Sequence, residues 1–326
     1  MEELFNKIIY KSIKNKATDI HLKLKDDLLI YFRVYNQLIL YKSITNDIGN
    51  KLINYIKYHS GINTNISFSP QTGMMKYIEH NQSYDLRVSY IPEIDGESIV
   101  IRILNNHPVI DINHITKLDE IKKFYCSLKD YNQGLVLFSG PTGSGKSTTL
   151  YTLMDYLYET THKNIISIED PIEIKKDYVT QIEINENIGL NYETILKQIL
   201  RHDPDIIVIG EIRDESVAKI AITCALTGHL VLTTIHSSSC ILALKRLLNL
   251  NISAIDLEDV LLASISQKIL YINNEVVILS ELINREGIRN YLEGNQVQYN
   301  SFKDNTIKLI NEYKYSIDDF KGELNE

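Results

Sequence analysis

Residues 140–147, with the sequence Gly-Pro-Thr-Gly-Ser-Gly-Lys-Ser, have the side chains and spacing of a phosphate-binding loop. They fit the pattern G-x-x-x-x-G-K-[ST], in which glycines let backbone N–H groups close around phosphate oxygens. Lys146 would reach the outer phosphates, and the Ser147 hydroxyl would hold Mg²⁺. This pattern predicts a site for a nucleoside triphosphate. The candidate binding residues are Gly140, Pro141, Thr142, Gly143, Ser144, Gly145, Lys146, Ser147 and Thr148.

The residues on either side of this loop predict the strand and the helix that it requires. Residues 135–139 are a short apolar run after a glycine, which is typical of a buried parallel strand. Residues 147–160 carry apolar side chains at helical spacing. The N-terminus of that helix would direct its positive dipole end at a bound phosphate. With strand, loop and helix together, we prefer a phosphate site to a chance glycine-rich turn.

Two acidic segments follow apolar runs and would lie at the same edge of a parallel sheet. Glu211 comes after residues 206–209, and Gly210 stands where many phosphate-loop proteins have an aspartate. Residues 168–173, Ile-Glu-Asp-Pro-Ile-Glu, supply three more carboxylates. Carboxylates at this edge can hold Mg²⁺ or orient an attacking water. Alone, the second segment would favour a solvated acidic turn, but beside the loop it indicates a hydrolytic site.

Residues 228–236 place a histidine at each end of a predicted strand, His229 and His236. A lone histidine is usually structural, and neither the spacing nor the neighbouring residue types indicate a metal site. Sensing of a γ-phosphate, or a contact between subunits, is the functional alternative. The residues by themselves leave both interpretations open.

Composition and charge exclude several classes of protein. The chain has 326 residues and 44% hydrophobic content, which suits two domains with their own cores. The formal net charge of −8 argues against a general nucleic-acid binder. A membrane-spanning helix needs a continuous run of about 18 apolar residues, and no run in this sequence is close to that length. We therefore expect a cytosolic protein, unless a partner holds it at a membrane.

Local patterns at the cysteines and at the N-terminus point to structural roles. Cys126, Cys224 and Cys240 form no C-x-x-C pair, so we expect neither zinc nor a disulfide framework. Residues 2–16 place lysines opposite apolar side chains, as in an amphipathic helix. Such a helix could touch an anionic membrane or a partner. Packing on its own domain is the more common outcome, and we favour it.

The pattern of predicted elements changes between residues 104 and 118. Residues 1–104 predict a small α+β domain with two helices and several strands. Residues 105–117, which include Asn-Asn-His-Pro, predict a linker. Residues 118–326 alternate strands with helices, which is typical of a parallel sheet covered on both faces. The charged segment after about residue 281 looks helical.

Four motifs, in this order and spacing, resemble those of the type II secretion and type IV pilus ATPases. They are a Walker A motif, an Asp box, a Walker B motif and a His box, at residues 140–149, 168–173, 210–214 and 228–236. The resemblance covers residues 17–270. It implies an α/β fold, in which a RecA-like P-loop NTPase domain with a parallel sheet and a helical C-terminal tail follows a small PAS-like α+β domain.

The resemblance also implies roles for individual side chains in ATP hydrolysis. Glu173 would be the general base, and Glu211 would orient Mg²⁺ and the attacking water. Arg87 and Arg102 resemble phosphate-sensing arginines of the small domain, although a solvated strand face is the plain alternative. An arginine against a γ-phosphate can be worth about 10³–10⁵ in rate. The implied catalytic residues are Glu173, Glu211, Lys146, Arg87, Arg102 and His236, and the implied metal ligands are Ser147 and Glu211.

Departures from the family pattern favour a compact member. The chain has no C-x-x-C pair after the His box, and the residues before Thr18 leave no room for an additional docking domain. This favours the Gram-positive competence pseudopilus ATPases, although residues 287–292 resemble a motif of the retraction ATPases. Gln267-Lys268-Ile269 stands where the family often has Gln-Arg-Leu, so no role of that arginine is carried over.

We therefore expect a hexameric ATPase motor that drives assembly of a pseudopilus for DNA uptake. It would use ATP and Mg²⁺, bind no zinc, and work through an inner-membrane platform protein at the inner face of the cell membrane. Pilus retraction and type II secretion are alternatives, and a non-hydrolysing scaffold is less favoured. A direct DNA translocase would need a basic channel, which the acidic charge balance does not favour.

Overall fold

The computed structural model describes residues 1–35, 37–64, 68–79, 82–104, 111–185, 188–272 and 275–320. Two compact units make up the chain, a first unit of Met1–Pro108 and a second unit of Val109–Glu326. Residues 105–110 of the predicted linker lie outside the described residues. The linker therefore stays a prediction.

The first unit is built on a six-stranded sheet in the order β3-β2-β1-β6-β5-β4, with every described pair antiparallel. Its strands are β1 (Asp19–Leu24), β2 (Asp27–Val34), β3 (Gln37–Thr45), β4 (Gln71–Glu79), β5 (Gln82–Glu93) and β6 (Gly96–Ile103). The sequence predicted five of them and missed β3. That strand lies at an edge of the sheet and is largely exposed, so it lacks the polar–apolar alternation of a half-buried strand.

Two helices, α1 (Glu2–Lys14) and α2 (Asn46–His59), pack on this sheet. The apolar face of α1 is buried, since Phe5, Ile8 and Ile9 belong to the core of the first unit. The side chains of Lys7 and Lys14 are exposed on its other face. The prediction that this amphipathic helix packs on its own domain is therefore confirmed.

The second unit is built on a seven-stranded sheet in the order β13-β12-β7-β11-β10-β8-β9. Its strands are β7 (Gly134–Ser139), β8 (Ile165–Glu169), β9 (Thr180–Glu183), β10 (Ile206–Ile209), β11 (Leu230–Ile235), β12 (Leu261–Ile272) and β13 (Glu275–Asn284). All pairs are parallel except β12 with β13. The predicted parallel sheet is confirmed. The sequence predicted β7, β8, β10 and β11, and it missed β9, β12 and the antiparallel edge strand β13. Strand β13 ends at Asn284, and the helices expected in the charged segment after about residue 281 begin at Arg285.

Helices cover both faces of this sheet. They are α3 (Asp119–Ser127), α4 (Lys146–Thr161), α5 (Tyr192–Ile199), α6 (Glu215–Leu226), α7 (Cys240–Asn249), α8 (Ala254–Val260), α9 (Arg285–Leu292) and α10 (Phe302–Tyr313). In the part of the chain that the structure describes, no helix combines the length and the apolar character needed to cross a membrane.

Successive side chains of strand β7 point to opposite faces of the sheet, and each face has its own core cluster. Val136 and Phe138 contact the cluster that includes α3, α4 and α10, whereas Leu135 and Leu137 contact the cluster that includes α5 to α9. All six residues of β7 are buried. Because both faces are covered, the polar segments of the parallel strands lie at their ends, and those at the carboxyl ends share one edge of the sheet.

Two leucines of the same helix test the contribution of this packing to stability. We expect Leu247→Ala on α7 to lower the free energy of unfolding by about 2–5 kcal/mol, because it leaves a cavity in the core. Leu247 is 0% exposed, whereas Leu242 on the same helix is 48% exposed. Leu242→Ala is therefore the matched control. Urea denaturation followed by circular dichroism measures both, and equal losses would contradict the packing described here.

Candidate active site

The glycine-rich loop leaves the end of β7 and enters the first turn of α4 at Lys146. Gly143 and Gly145 have φ angles of +79° and +85°, in the left-handed region that favours glycine. A Cβ atom on Gly140 would lie 2.4 Å from the carbonyl oxygen of Gln267. These positions require glycine because of backbone conformation or close approach. The loop therefore has the tight path of a phosphate cradle.

The remaining predicted binding residues lie along the same turn. Pro141 and Thr142 are exposed, and Ser147 and Thr148 are half-buried in the first turn of α4. The buried Ser144 hydroxyl has no hydrogen-bond partner among the described residues. A hydroxyl and a carboxylate are the oxygen ligands that Mg²⁺ prefers, so Ser147 and Glu211 fit the predicted metal role. No cluster of three His, Cys, Asp or Glu residues forms a separate metal site within the described ranges.

Gln267, on β12, holds the loop from the neighbouring strand. Its side chain is fully buried, and Nε2 donates a hydrogen bond to the carbonyl oxygen of Ser144 at 2.8 Å. The Thr149 hydroxyl donates to Gln267 Oε1 at 3.2 Å. One side chain thus ties the phosphate loop to the first turn of α4. Nothing in the sequence pattern marks this role of Gln267, because its contact with Ser144 joins residues 123 positions apart in the chain.

Lys146 lies where the loop and two acidic residues converge. Its Nζ donates to the carbonyl oxygens of Gly140 and Pro141, at 2.8 and 3.0 Å. Burial lowers the pKa of Lys146, and the negative charges of Glu211 and Glu173 oppose that shift. Lys146 follows β7, Glu211 follows β10 and Glu173 follows β8, so these three predicted catalytic residues lie at the carboxyl edge of the parallel sheet.

Glu169 is the buried member of the acidic segment that follows β8. Its carboxylate accepts hydrogen bonds from Ser167 Oγ at 2.7 Å, from Gln181 Nε2 at 3.1 Å and from the Tyr151 hydroxyl. Burial raises the pKa of Glu169, and these hydrogen bonds act in the opposite direction. Glu169 is thus an anchor inside the protein, whereas Glu173 lies four residues further along the segment.

Arg213 connects the two acidic segments. Its Nη1 lies 2.6 Å from Asp170 Oδ2, and its Nε lies 3.2 Å from Glu211 Oε2. The other Glu211 oxygen lies 3.1 Å from Nε2 of His236. Glu211 is therefore held from two sides. The sequence analysis quoted Arg213 within a motif without a role, since nothing in its spacing showed that it would face Asp170.

The two histidines of residues 228–236 occupy different environments. His229 precedes β11, and its Nδ1 lies 3.0 Å from the carbonyl oxygen of Cys224 and 3.1 Å from the Thr227 hydroxyl. His236 follows β11 at the other end, beside Glu211. His229 therefore secures the end of α6, and His236 is the histidine at the candidate site.

The two predicted sensor arginines lie in the first unit. Arg87 on β5 and Arg102 on β6 are directly opposite each other in the strand register, so their side chains share one face of the sheet. Both are exposed, and Arg102 Nε lies 2.9 Å from Asp19 Oδ1. Their role toward a nucleotide stays a prediction.

A cleft of 560 Å³ opens beside the phosphate loop, a volume within the range of small-molecule sites. Loop residues, the segment after β11 and the start of α10 line it. The lining residues are Gly140, Pro141, His236, Ser237, Ser238, Ser239, Lys268, Glu281, Ser301, Phe302 and Lys303.

Comparison with known sequences supports the interpretation of the four motifs. The family model described as "Type II/IV secretion system protein" matches residues 1–290. Competence protein ComGA of Bacillus subtilis is 35% identical over 270 residues, which are 82% of this chain and 76% of that protein. ComGA of Halalkalibacterium halodurans is 37% identical over 81% of this chain and 76% of that protein. Type II secretion system protein E of Pectobacterium carotovorum is 35% identical over 82% of this chain, but only 54% of that protein is covered. The resemblance proposed from the motifs is confirmed.

Comparison with solved structures supports the fold. The ATPase DotB of Legionella pneumophila superposes with a TM-score of 0.75 at 23% identity, over 95% of this chain and 88% of that chain. The pilus retraction motor PilT with bound ADP gives a TM-score of 0.73 at 24% identity, over 98% and 96% of the two chains. The predicted RecA-like P-loop fold is confirmed.

The bridge from Gln267 to the loop predicts an effect on nucleotide affinity. We expect Gln267→Leu to raise the Kd for ADP about tenfold, because two hydrogen bonds that hold the loop are lost. Fluorescence titration with a labelled ADP measures it. Gln198→Leu, at an exposed position of the same unit, is the control. An unchanged Kd for Gln267→Leu would show that the loop holds its path without this side chain.

The ion pairs of Arg213 predict an effect on turnover. We expect Arg213→Gln to lower kcat for ATP hydrolysis about 10- to 100-fold. Without its ion pair to Arg213, the Glu211 carboxylate would shift from the position in which it is predicted to orient Mg²⁺ and the attacking water. Steady-state phosphate release measures it. Arg289→Gln removes a comparable exposed pair, with Glu258 at 2.8 Å on the surface formed by α8 and α9, and serves as control. Equal kcat values for the two variants would contradict the role given to Arg213.

Proposed function

This chain belongs to the type II/IV secretion system protein family and is an ATP hydrolase of the P-loop class, and on that premise we propose that it powers assembly of a competence pseudopilus for DNA uptake. The family's ATPases drive secretion and pilus machines. The observation that carries the proposal for this site is the glycine-rich loop with Lys146 at the carboxyl end of β7, where Glu211 follows β10 and Glu173 follows β8 at the same edge of the parallel sheet. The two ComGA relatives support the competence assignment.

The proposed reaction is attack of a water oxygen on the γ-phosphorus of ATP, which breaks the bond from that phosphorus to the β–γ bridging oxygen and releases ADP and inorganic phosphate. The loop N–H groups and Lys146 bind the phosphates, and the N-terminus of α4 favours their negative charge. The Glu173 carboxylate takes the proton of the attacking water, and Glu211 orients that water. Mg²⁺, when held by Ser147 and Glu211 together with the phosphates, would neutralise charge on the phosphate oxygens.

Further residues would complete the site when the nucleotide is bound. His236 contacts Glu211 and would report on the γ-phosphate end of the nucleotide. Arg87 and Arg102 would stabilise the charge of the transferring phosphoryl group, as proposed from the family.

We further place the protein in a homohexamer that works on an inner-membrane platform protein, at the cytoplasmic face of the cell membrane. The formal net charge of −8 supports a protein partner and argues against direct contact with DNA. Type II secretion is the second candidate, since a type II secretion relative matches this chain at 35% identity. Retraction is a third, because residues 287–292, which lie on α9, resemble a retraction motif.

Lys146→Ala as the only copy of the protein in the cell tests this proposal. We expect loss of DNA transformation together with loss of surface filament, because the nucleotide site is disabled. Lys129→Ala, an exposed lysine of the same unit, is the control. Purified Lys146→Ala protein should also lack ATP hydrolysis.

The other outcomes of this experiment select among the alternatives. Normal transformation with impaired protein export would replace competence with type II secretion. An increase in surface filament would indicate retraction. Lost transformation with normal filament, together with DNA-stimulated hydrolysis by the purified wild type, would indicate a direct DNA translocase.

A further inference from the structure

The segment that carries Glu173 has no helix or strand of its own. It comprises residues 170–179, between β8 and β9. Its position must therefore be set by side chains of neighbouring elements. Two residues of α4 make such contacts, Tyr151 and, one turn later, Asp155. This helix begins at Lys146.

Tyr151 is buried, and its hydroxyl is the centre of three hydrogen bonds. The hydroxyl oxygen accepts from the backbone N–H of Glu173 at 3.2 Å and from the backbone N–H of Ile174 at 3.1 Å. The hydroxyl proton is donated to Glu169 Oε2. This single oxygen is thus bonded to the backbone of the residue that we propose as general base.

Gln181, on β9, closes the network from the other side. Its Nε2 donates to Glu169 Oε1 at 3.1 Å and to the carbonyl oxygen of Ile174 at 2.9 Å. Its Oε1 accepts from the backbone N–H of Lys176 at 2.7 Å. Tyr151 and Gln181 therefore both hydrogen bond to the segment that carries Glu173, and both donate to the buried Glu169 carboxylate.

The second α4 contact fixes the far part of the segment. Lys176 Nζ donates to both carboxylate oxygens of Asp155, at 2.7 and 2.8 Å. Tyr151 lies five residues after Lys146, which is about 7.5 Å along the helix axis. One rigid helix thus holds the phosphate-binding lysine at its start and the Glu173 segment further along, so their spacing is set by helix geometry.

We propose that Tyr151 is a positioning residue, which places Glu173 for proton abstraction through the two hydrogen bonds that its hydroxyl accepts from the segment's backbone. This inference rests on the proposed role of Glu173. Within the described residues, no side chain donates to the Glu173 carboxylate, so its placement depends on its backbone. If the Tyr151 hydroxyl served only to pair the buried Glu169 carboxylate, Tyr151→Phe would lower the stability of the protein and leave kcat of the folded enzyme unchanged.

Tyr151→Phe is the direct test, because it removes the hydroxyl oxygen and keeps the ring. We expect kcat for ATP hydrolysis to fall about tenfold or more, as is typical when general base catalysis is impaired. The Kd for ADP should stay within about twofold, because the phosphate loop is unchanged. An unchanged kcat, or equal losses in kcat and in ADP affinity, would overturn the proposal.

Tyr156→Phe is the matched control. Tyr156 lies on the same helix, and its hydroxyl donates to the carbonyl oxygen of Cys126 at 3.0 Å, on the side of α3. This variant also removes one hydroxyl group from α4. It should leave kcat at the wild-type value, and a loss like that of Tyr151→Phe would show a general effect on the helix.

A double-mutant cycle separates this inference from the proposed function. If Tyr151 acts through Glu173, adding Tyr151→Phe to Glu173→Gln should lower the residual kcat no further. An additional loss would show that Tyr151 acts by another route and would overturn the proposal. Full activity of Glu173→Gln alone would reject Glu173 as general base, and with it both the proposed mechanism and this inference.

A second variant keeps the test decisive if Tyr151→Phe does not fold. Gln181→Leu removes the hydrogen bonds from the Gln181 side chain to the backbone of Ile174 and Lys176, and it leaves the phosphate loop intact. It should also lower kcat and leave the Kd for ADP unchanged. Wild-type kcat for a folded Gln181→Leu would show that the network does not position Glu173.

Discussion

The backbone path of the glycine-rich loop is the constraint on which the rest of the site depends. Gly143 and Gly145 have positive φ angles, and Gly140 passes within contact distance of β12, so the loop turns sharply between β7 and α4. That turn places Lys146 at the start of a 16-residue helix and aims the helix N-terminus at the loop. Gln267 then holds the turn from β12. Any change that opens this turn would move the phosphates relative to the carboxylates.

Most carboxylates around the loop are held by hydrogen bonds or ion pairs to their own side chains, whereas the Glu173 carboxylate is the proposed general base. Glu169 is buried and hydrogen bonded, Asp170 pairs with Arg213, and Glu211 contacts both Arg213 and His236. Several negative charges at one edge would repel one another and any bound phosphate. The cations Arg213 and Lys146 compensate them, so the acidic segments can lie near a triphosphate. Glu173 differs because contacts to its backbone place it.

Helix α4 connects the phosphate loop with the Glu173 segment, because it begins at the loop and contacts the segment. Its first turn carries Lys146, and Tyr151 and Asp155 contact the Glu173 segment. Its inner face packs against the core through Leu153, Met154 and Leu157. The same helix begins at the phosphate loop and contacts the Glu173 segment, so helix geometry sets the spacing between these two parts of the site. Such an arrangement suits an ATPase whose reaction drives movement.

The sequence by itself determined the loop, the helix after it and four parallel strands, β7, β8, β10 and β11, because their signals are local: glycine spacing and apolar periodicity within a few residues. It also gathered Lys146, Glu173 and Glu211, since parallel strands bring their carboxyl ends to one edge. It missed β3, whose exposed face gives no alternation, and it also missed β9, β12 and β13. Only the tertiary structure decided the roles of Gln267, Arg213 and Tyr151. Each of their contacts joins residues that are distant along the chain. Such contacts depend on where a side chain points in the folded protein, and the spacing of residue types in the sequence does not show this.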